Sequence, residues 1–191
     1  MNRESDPQLV SLDIETTGID WQTSQLVAVG LALQGESKIQ LGAEQDMLTW
    51  LESEISNFED GTILVTWNGE EFDLPFLFNR FGSCNIATTL SIEPQGVVGK
   101  YGKPLYTAHW SNIRHVDLAP LFKEYASVHG IQWSLKPLVR EALKLEPVVV
   151  DNRGSSIAVM DPSELSEYLA SDIEITLLLA KSVPTLLGIV L

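Results

Sequence analysis

The sequence predicts an α/β layered domain built on a mixed sheet, and three observations lead there. Short apolar runs bounded by turn residues recur at Val10–Ile14, Leu26–Leu33 and Thr62–Trp67, as expected of buried strands. Segments with apolar residues three and four apart lie between and after them, at 43–58, 71–81 and 162–179. Strands gathered early with helices interleaved after them favour layers of helix on a sheet over a bundle or a sandwich. With 191 residues and 45% hydrophobic content, the chain has material for one core, so a single domain over 1–191 is expected.

Taken in order, 1–8 is a short polar segment, followed by a strand that breaks at Gly18. The run Leu26–Leu33 (LVAVGLAL) is apolar and small, which suits a central strand. Ser37–Leu41 is expected to pair with it across Gly35-Glu36. Met47, Leu48, Leu51 and Ile55 recur at helical spacing and give a helix over Ala43–Phe58. Thr62–Trp67 is another strand, and Asn68-Gly69 turns it into a helix over Glu71–Phe81 with Gly82 as its stop. Residues 83–112, rich in Gly, Pro and Thr, form an inserted irregular loop or hairpin, because strand-like Ile113–Val116 resumes behind them. Helical patterning then covers 117–128 and 134–143, and Pro147–Val150 is extended. Pro162–Leu179 is the clearest helix: Asp161 caps it, Pro162 opens its first turn and Glu164 follows three residues after the cap. The apolar tail 184–191 is expected to dock on the body.

Charge and cysteine content narrow the classes. Twelve Lys+Arg against 26 Asp+Glu give a net charge of −14, which repels polyanions at long range and counts against tight, non-specific duplex binding. It leaves open nucleic acid in a metal-lined cleft, since divalent ions invert the local charge logic. No apolar run approaches the roughly 18–20 residues that span a bilayer, so no membrane partner is expected. Cys84 is alone and no signal peptide is evident, so the expected location is cytoplasmic.

Two carboxylates stand out on the first strand. Side chains alternate along a strand, so Asp13 and Glu15 share one face while Leu12 and Ile14 take the other. Like charges side by side repel, and a divalent cation between them would relieve it; a cap or a salt bridge would also account for them. A second stretch, Trp67 to Phe76 (WNGEEFDLPF), puts Asn68 at a sheet edge and Asp73 in the first turns of a helix. There an acid offsets the helix macrodipole with no further role, and Glu70 and Glu71 read as solvated first-turn acids. In the third stretch, Tyr168 and Asp172 are four apart and share a helix face at the edge of the stripe Leu165, Leu169, Ile173, Leu177. Taken alone, Asp172 reads as a capping or surface residue.

In this order, D-x-E on a strand, N-x3-F-D at a strand-to-helix turn and Y-x3-D on a late helix resemble the three motifs of the DEDD 3′→5′ exonuclease superfamily, Tyr-type. The stretch Asn68–Arg80 is most similar to the proofreading exonuclease domain of family B DNA polymerases and its freestanding relatives. The resemblance spans residues 9–179 and implies a ribonuclease-H-like fold with a mixed central sheet flanked by helices. It also implies metal-dependent removal of nucleotides from the 3′ end of single-stranded DNA. Two Mg²⁺ or Mn²⁺ ions would be held by Asp13, Glu15, Asp73 and Asp172, with Tyr168 orienting the attacking water. Thr16, Thr17, Asn68 and Phe72 would contact the terminal nucleotides.

Ser134-Leu135 resembles the family's Ser/Thr-Leu substrate motif, and reads equally as a helix cap followed by a core leucine. Lys136 or Lys144 would supply a basic residue near the scissile phosphate; spacing does not choose between them. Asp117 reads as a helix cap. Lys100, Tyr101, Lys103, Tyr106, His109 and Trp110 in the insertion suit either stacking on single strands or a small packed hairpin core. Trp21 reads as a packing residue, with a place beside the cleft as the alternative. RNA in place of DNA, and a non-catalytic scaffold relative serving a polymerase or repair partner, are the competing functional readings.

Overall fold

Alternation along the first strand decides how the molecule is layered. The computed structural model describes residues 7–33, 35–148, 157 and 160–187. In chain order its elements are β1 (Leu9–Thr16), β2 (Leu26–Leu33), β3 (Glu36–Leu41), α1 (Glu44–Ser56), β4 (Ile63–Thr66), α2 (Asp73–Ser83), β5 (Leu90–Val98) and β6 (Pro104–Trp110). They continue with β7 (Arg114–Asp117), α3 (Leu118–Leu121), α4 (Lys123–His129), α5 (Leu135–Leu143) and α6 (Pro162–Lys181), closed by a 3-10 turn at Pro184–Leu187. Five strands form a mixed sheet in the order β3-β2-β1-β4-β7, antiparallel on the β2–β3 side of β1 and parallel on the β4–β7 side.

Val10, Leu12 and Ile14 enter a core built with Met47, Leu48, Leu51 and Ile55 of α1 and Leu74, Leu77 and Phe81 of α2. The opposite face of β1, carrying Ser11, Asp13 and Glu15, meets α6, where the Ser11 hydroxyl donates to the Ile173 carbonyl at 2.6 Å. Helix α6 comes close because β2 presents small residues to it. Ala28 and Ala32 pack against Leu165, Leu169, Ile173 and Leu177. A Cβ on Gly30 would stand 3.0 Å from Leu169 Cγ and 3.1 Å from Ile173 Cδ1. A third cluster joins Ile63 and Val65 of β4 to Leu118, Phe122, Leu138 and Leu179. Among the described residues no helix is long and apolar enough to cross a membrane.

Several expectations change in detail. Helix α2 runs through Gly82 to Ser83, so that glycine does not stop it; Phe81 stays in the core and the C-cap is Cys84. The helical pattern over 117–128 divides at Phe122 into α3 and α4. The insertion is an ordered hairpin, β5–β6, separate from the main sheet. Its base is held by Glu52 of α1, which accepts from Thr88 Oγ1 at 2.6 Å, Thr89 N at 2.8 Å and Trp110 Nε1 at 2.9 Å. Trp110 is therefore a core residue, as the packed-hairpin alternative has it. Asp161 caps α6 through Ser163 N at 2.8 Å. Val149 and Val150, at the end of the expected extended piece, and residues 188–191 of the tail lie outside the described residues; Leu187 is buried.

Because Gly30 faces α6 across a gap too small for a methyl group, Gly30→Ala is expected to push the helix outward. Overpacking of this kind costs about 1–3 kcal/mol. The melting temperature should fall by several degrees, as read by thermal unfolding.

Candidate functional site

Strands β1, β4 and β7 run parallel, so their carboxyl ends open on one edge of the sheet, where α/β folds commonly place their sites. Strand β4 stops short: its last partner on β1 is Ser11, opposite Val65, whereas Asp13 is paired only on the other side, with Gly30 of β2. Helix α2 starts beside the open flank of β1. The turn that aims it is built on Asn68, whose φ of 68° is left-handed, and on Gly69, where a Cβ would overlap the Thr66 side chain. Asp117 clamps this turn by accepting from Asn68 N at 2.8 Å and Glu70 N at 3.1 Å. It also caps α3 by accepting from Ala119 N at 2.9 Å, which is the role its sequence position predicts. Burial raises its carboxyl to about 6 against the pull of these three amide groups.

Asp73, in the first turn of α2, is 3% exposed, and its Oδ1 has no hydrogen-bond partner. It shares with Asp13 the wall of a cavity of about 350 Å³. From the other side, α6 brings in Asp172. One carboxylate oxygen each of Asp13, Glu15 and Asp172 lie within 4.8 Å of one another. Tyr168, one turn earlier, stacks under Lys136, whose Nζ is 3.8 Å from the ring centre and 3.0 Å from Asp172 Oδ1. Lys136 is thus the lysine at the centre. Lys144 ends α5 in a left-handed conformation and pairs with Glu141 at 3.3 Å.

The electrostatics follow from crowding. Asp13 is raised well above the usual carboxylate range by burial and then by Asp73, Glu15 and Asp172. Glu15 is raised to about 8 by burial, Asp172 and Asp73, with Lys136 opposing. Asp73 is raised to about 7 by burial and then by Asp117. Asp172 is raised by burial against the pull of Lys136. Tyr168 is pushed upward by burial and the acids beside it, which keeps its hydroxyl protonated. Four acids facing one ammonium form a donor set of hard oxygens, which suits Mg²⁺ or Mn²⁺. With the partnerless Asp73 Oδ1, the residues present fit divalent metal.

The remaining predicted residues divide. Phe72 and Asn68 line the cavity beside Asp13. Thr16 donates its hydroxyl to the Gly18 carbonyl at 2.7 Å, and Thr17 accepts from Gln25 N at 2.9 Å, so both brace the turn after β1. Ser134 sits at the N-cap of α5, but its side chain makes no capping bond, and Leu135 is buried in the core. Trp21 packs against the core and also lines a neighbouring cavity of about 340 Å³.

Glu71 overturns its expected role as a solvated acid. It is 3% exposed, and its Oε1 accepts from Tyr101 N at 2.6 Å and Lys103 N at 3.1 Å, at the tip of the hairpin. No side-chain pattern announces that bond, because both donors are backbone groups about thirty residues away in the chain.

The raised carboxyls set a pH dependence. With chelator present, Glu15 and Asp73 hold protons in the folded state that an unfolded chain releases near pH 4. The native state therefore binds more protons between about pH 4 and 8, and stability falls as pH rises through that window. The melting temperature is therefore expected to fall in thermal melts from pH 5 to 8. Asp13→Asn should flatten the profile.

Among protein families, the one described as the RNase_H superfamily matches residues 10–159. That span includes Asp13, Glu15 and Asp73 and stops before Tyr168 and Asp172. No curated protein matches the chain. Members of this superfamily are generally nucleases that use divalent metals, so nucleic acid is the substrate class the family implies. The matched span, the mixed five-stranded sheet and the acids at its carboxyl edge agree, and the chain belongs to the RNase H superfamily.

Proposed function

We propose that this protein is a metal-dependent 3′→5′ exonuclease that releases nucleotides from the 3′ end of single-stranded DNA. The observation that carries the reading is the convergence of Asp13, Glu15 and Asp172 from the two ends of the chain, with Asp73 beside them and Tyr168 and Lys136 at their edge. Three stretches that read individually as caps or solvated acids have one purpose in common when they meet. Asp13, Glu15, Asp73 and Asp172 would hold two divalent ions. Bound there, Mg²⁺ or Mn²⁺ would supply the charge that activates a water and stabilises the leaving 3′ oxygen.

The chain's own residues divide the rest of the work. Tyr168, protonated at neutral pH, is a donor that orients the attacking water, not a base. Glu15, on the same strand face as Asp13 and ionised when cations occupy the site, takes up the proton that the water loses. Lys136 faces Asp172 and steadies both the helix face and the negative charge that builds on the phosphoryl oxygens. Water adds to phosphorus, the bond to the 3′ oxygen breaks, that oxygen takes a proton from solvent to become the shortened strand's 3′-hydroxyl, and a nucleoside 5′-monophosphate leaves. Phe72 and Asn68, on the wall of the Asp13 cavity, hold the terminal nucleotide.

The test uses 5′-labelled single-stranded DNA and RNA oligomers with free or blocked 3′ ends, in Mg²⁺, Mn²⁺ or chelator. Stepwise shortening of DNA from a free 3′ end, absent in chelator, is expected. Cleavage that ignores a blocked end would refute the assignment, and faster shortening of RNA would reassign the substrate. Asp13→Asn should reduce the rate by at least about 100-fold and Lys136→Ala by about 10–100-fold. In wild-type protein Mg²⁺ or Mn²⁺ should raise the melting temperature, and Asp13→Asn should abolish that gain.

A further inference from the structure

The β5–β6 hairpin does more than fill out the fold. Its tip, Gly99–Lys103, is a closed loop in which Gly99 N donates to the Lys103 carbonyl at 2.8 Å and Gly102 takes a φ of 79°. Glu71 holds the tip through the Tyr101 and Lys103 amides. A Cβ on Gly99 would overlap the Glu71 carboxylate, so the loop backbone is in close contact with that acid on the wall of the cavity. The two lysines then reach in different directions. Lys103 Nζ donates to the Ile19 carbonyl at 2.8 Å, in the turn after the β1 acids, and lies 5.6 Å from the Phe72 ring centre. Lys100 Nζ donates to the Trp133 carbonyl, at the approach to the helix that carries Lys136, and lies 5.1 Å from the ring centres of both Trp133 and Tyr101. The tip therefore ties together two stretches that flank the carboxylate centre, and Tyr101 and Lys103 wall the same cavity as Asp13 and Asp73.

From this we infer that Gly99–Lys103 is an arch over the site, and that it admits only a free end of a single strand. A strand entering beneath it passes two ammonium groups on a chain of net charge −14, which localises its phosphates there. Tyr101, 64% exposed, and Ile19, 70% exposed, offer apolar surface for bases at the mouth. A strand without an end cannot thread a loop anchored on both sides, so closed circles and strand interiors are refused. This inference rests on the proposed exonuclease reading and adds the element that would make it depend on an end.

The test reads binding, so it does not depend on cleavage. In an Asp13→Asn background, a 5′-fluorescein oligothymidylate is bound and then competed with one single-stranded DNA in linear and in ligated circular form, by fluorescence anisotropy. With the arch intact, the linear form should compete at least about tenfold better than the circle. Replacing Gly99–Lys103 by Asn-Gly, a turn that closes a two-residue hairpin, should bring the two forms level. Lys100→Ala/Lys103→Ala, which keeps the loop residues but removes both of its flanking ties, should narrow the preference for the linear form, weaken linear binding and reduce its salt slope by about 0.7 for each phosphate that is no longer neutralised. In a wild-type background the same pair of substitutions should leave metal-dependent stabilisation intact, which reports that the fold survives. Equal competition by the circle on the intact arch, preference for the linear form persisting in the folded Asn-Gly variant, or no binding of the linear form would each overturn the proposal. Preserved discrimination together with no cleavage by wild-type protein would instead reject the exonuclease reading alone.

Discussion

Burial of four carboxylates together, Asp13, Glu15, Asp73 and Asp172, is the constraint around which the molecule is built. Each is a hydrophilic group taken largely out of water, and burial is the first cause of every raised carboxyl in the cluster. The sheet and α6 have to hold these groups together against that tendency. They do so with dry, close packing: Ala28, Gly30 and Ala32 let α6 approach, and the Ser11 hydroxyl takes the Ile173 carbonyl beside Asp172. On the other flank, Asp117 fixes the turn that aims α2, and with it Asp73. Among the described residues, Lys136 is the one ammonium set against the group by an ion pair. The imbalance of charge is what makes a divalent cation the natural occupant.

The acidity of the chain also has an internal use. Beyond the central four, several carboxylates act as brackets that gather donors from distant segments. Glu44 receives Arg80 through both oxygens, at 2.8 and 2.5 Å, and also Leu26 N at 3.0 Å, tying α1 to α2 and to β2. Glu52 holds the base of the β5–β6 hairpin and Glu71 holds its tip. A carboxylate accepts several hydrogen bonds at once, and those it accepts from neutral amides are stronger for its charge. Part of the net charge that looks like a solubility device therefore serves to fix loops around the cleft. His115, half-buried and pushed down to about 4 by loss of solvent, joins this framework as a neutral ring bonded to Thr66 Oγ1 at 2.8 Å.

Much of this is legible without coordinates. Period-two alternation on β1 separates Asp13 and Glu15 from Leu12 and Ile14 whatever the rest of the chain does. Four-residue spacing likewise puts Tyr168 beside Asp172 on any helix. The sheet strands, α1, α2 and α6 are legible because burial stamps a local period on them. The hairpin is legible only as one of two alternatives, loop or hairpin, since β5 is largely exposed and Gly96 and Gly102 interrupt the pattern. Glu71 misleads because its partners are backbone amides about thirty residues away, and a backbone donor leaves no trace in side-chain order.

The sequence by itself determined which acids share a strand or helix face, where the strand-to-helix turn falls and that the chain would form an α/β domain. Local periodicity and turn chemistry suffice for those features. Only the tertiary structure decided that the β1 acids and Asp172 of α6 meet within 4.8 Å, that Lys136 and not Lys144 joins them, and that the hairpin tip is tied to the turn after β1 and to the approach to α5. Each of these depends on the angle and separation at which whole elements dock. Those are set by contacts such as Gly30 against Leu169, which connect residues far apart in the chain.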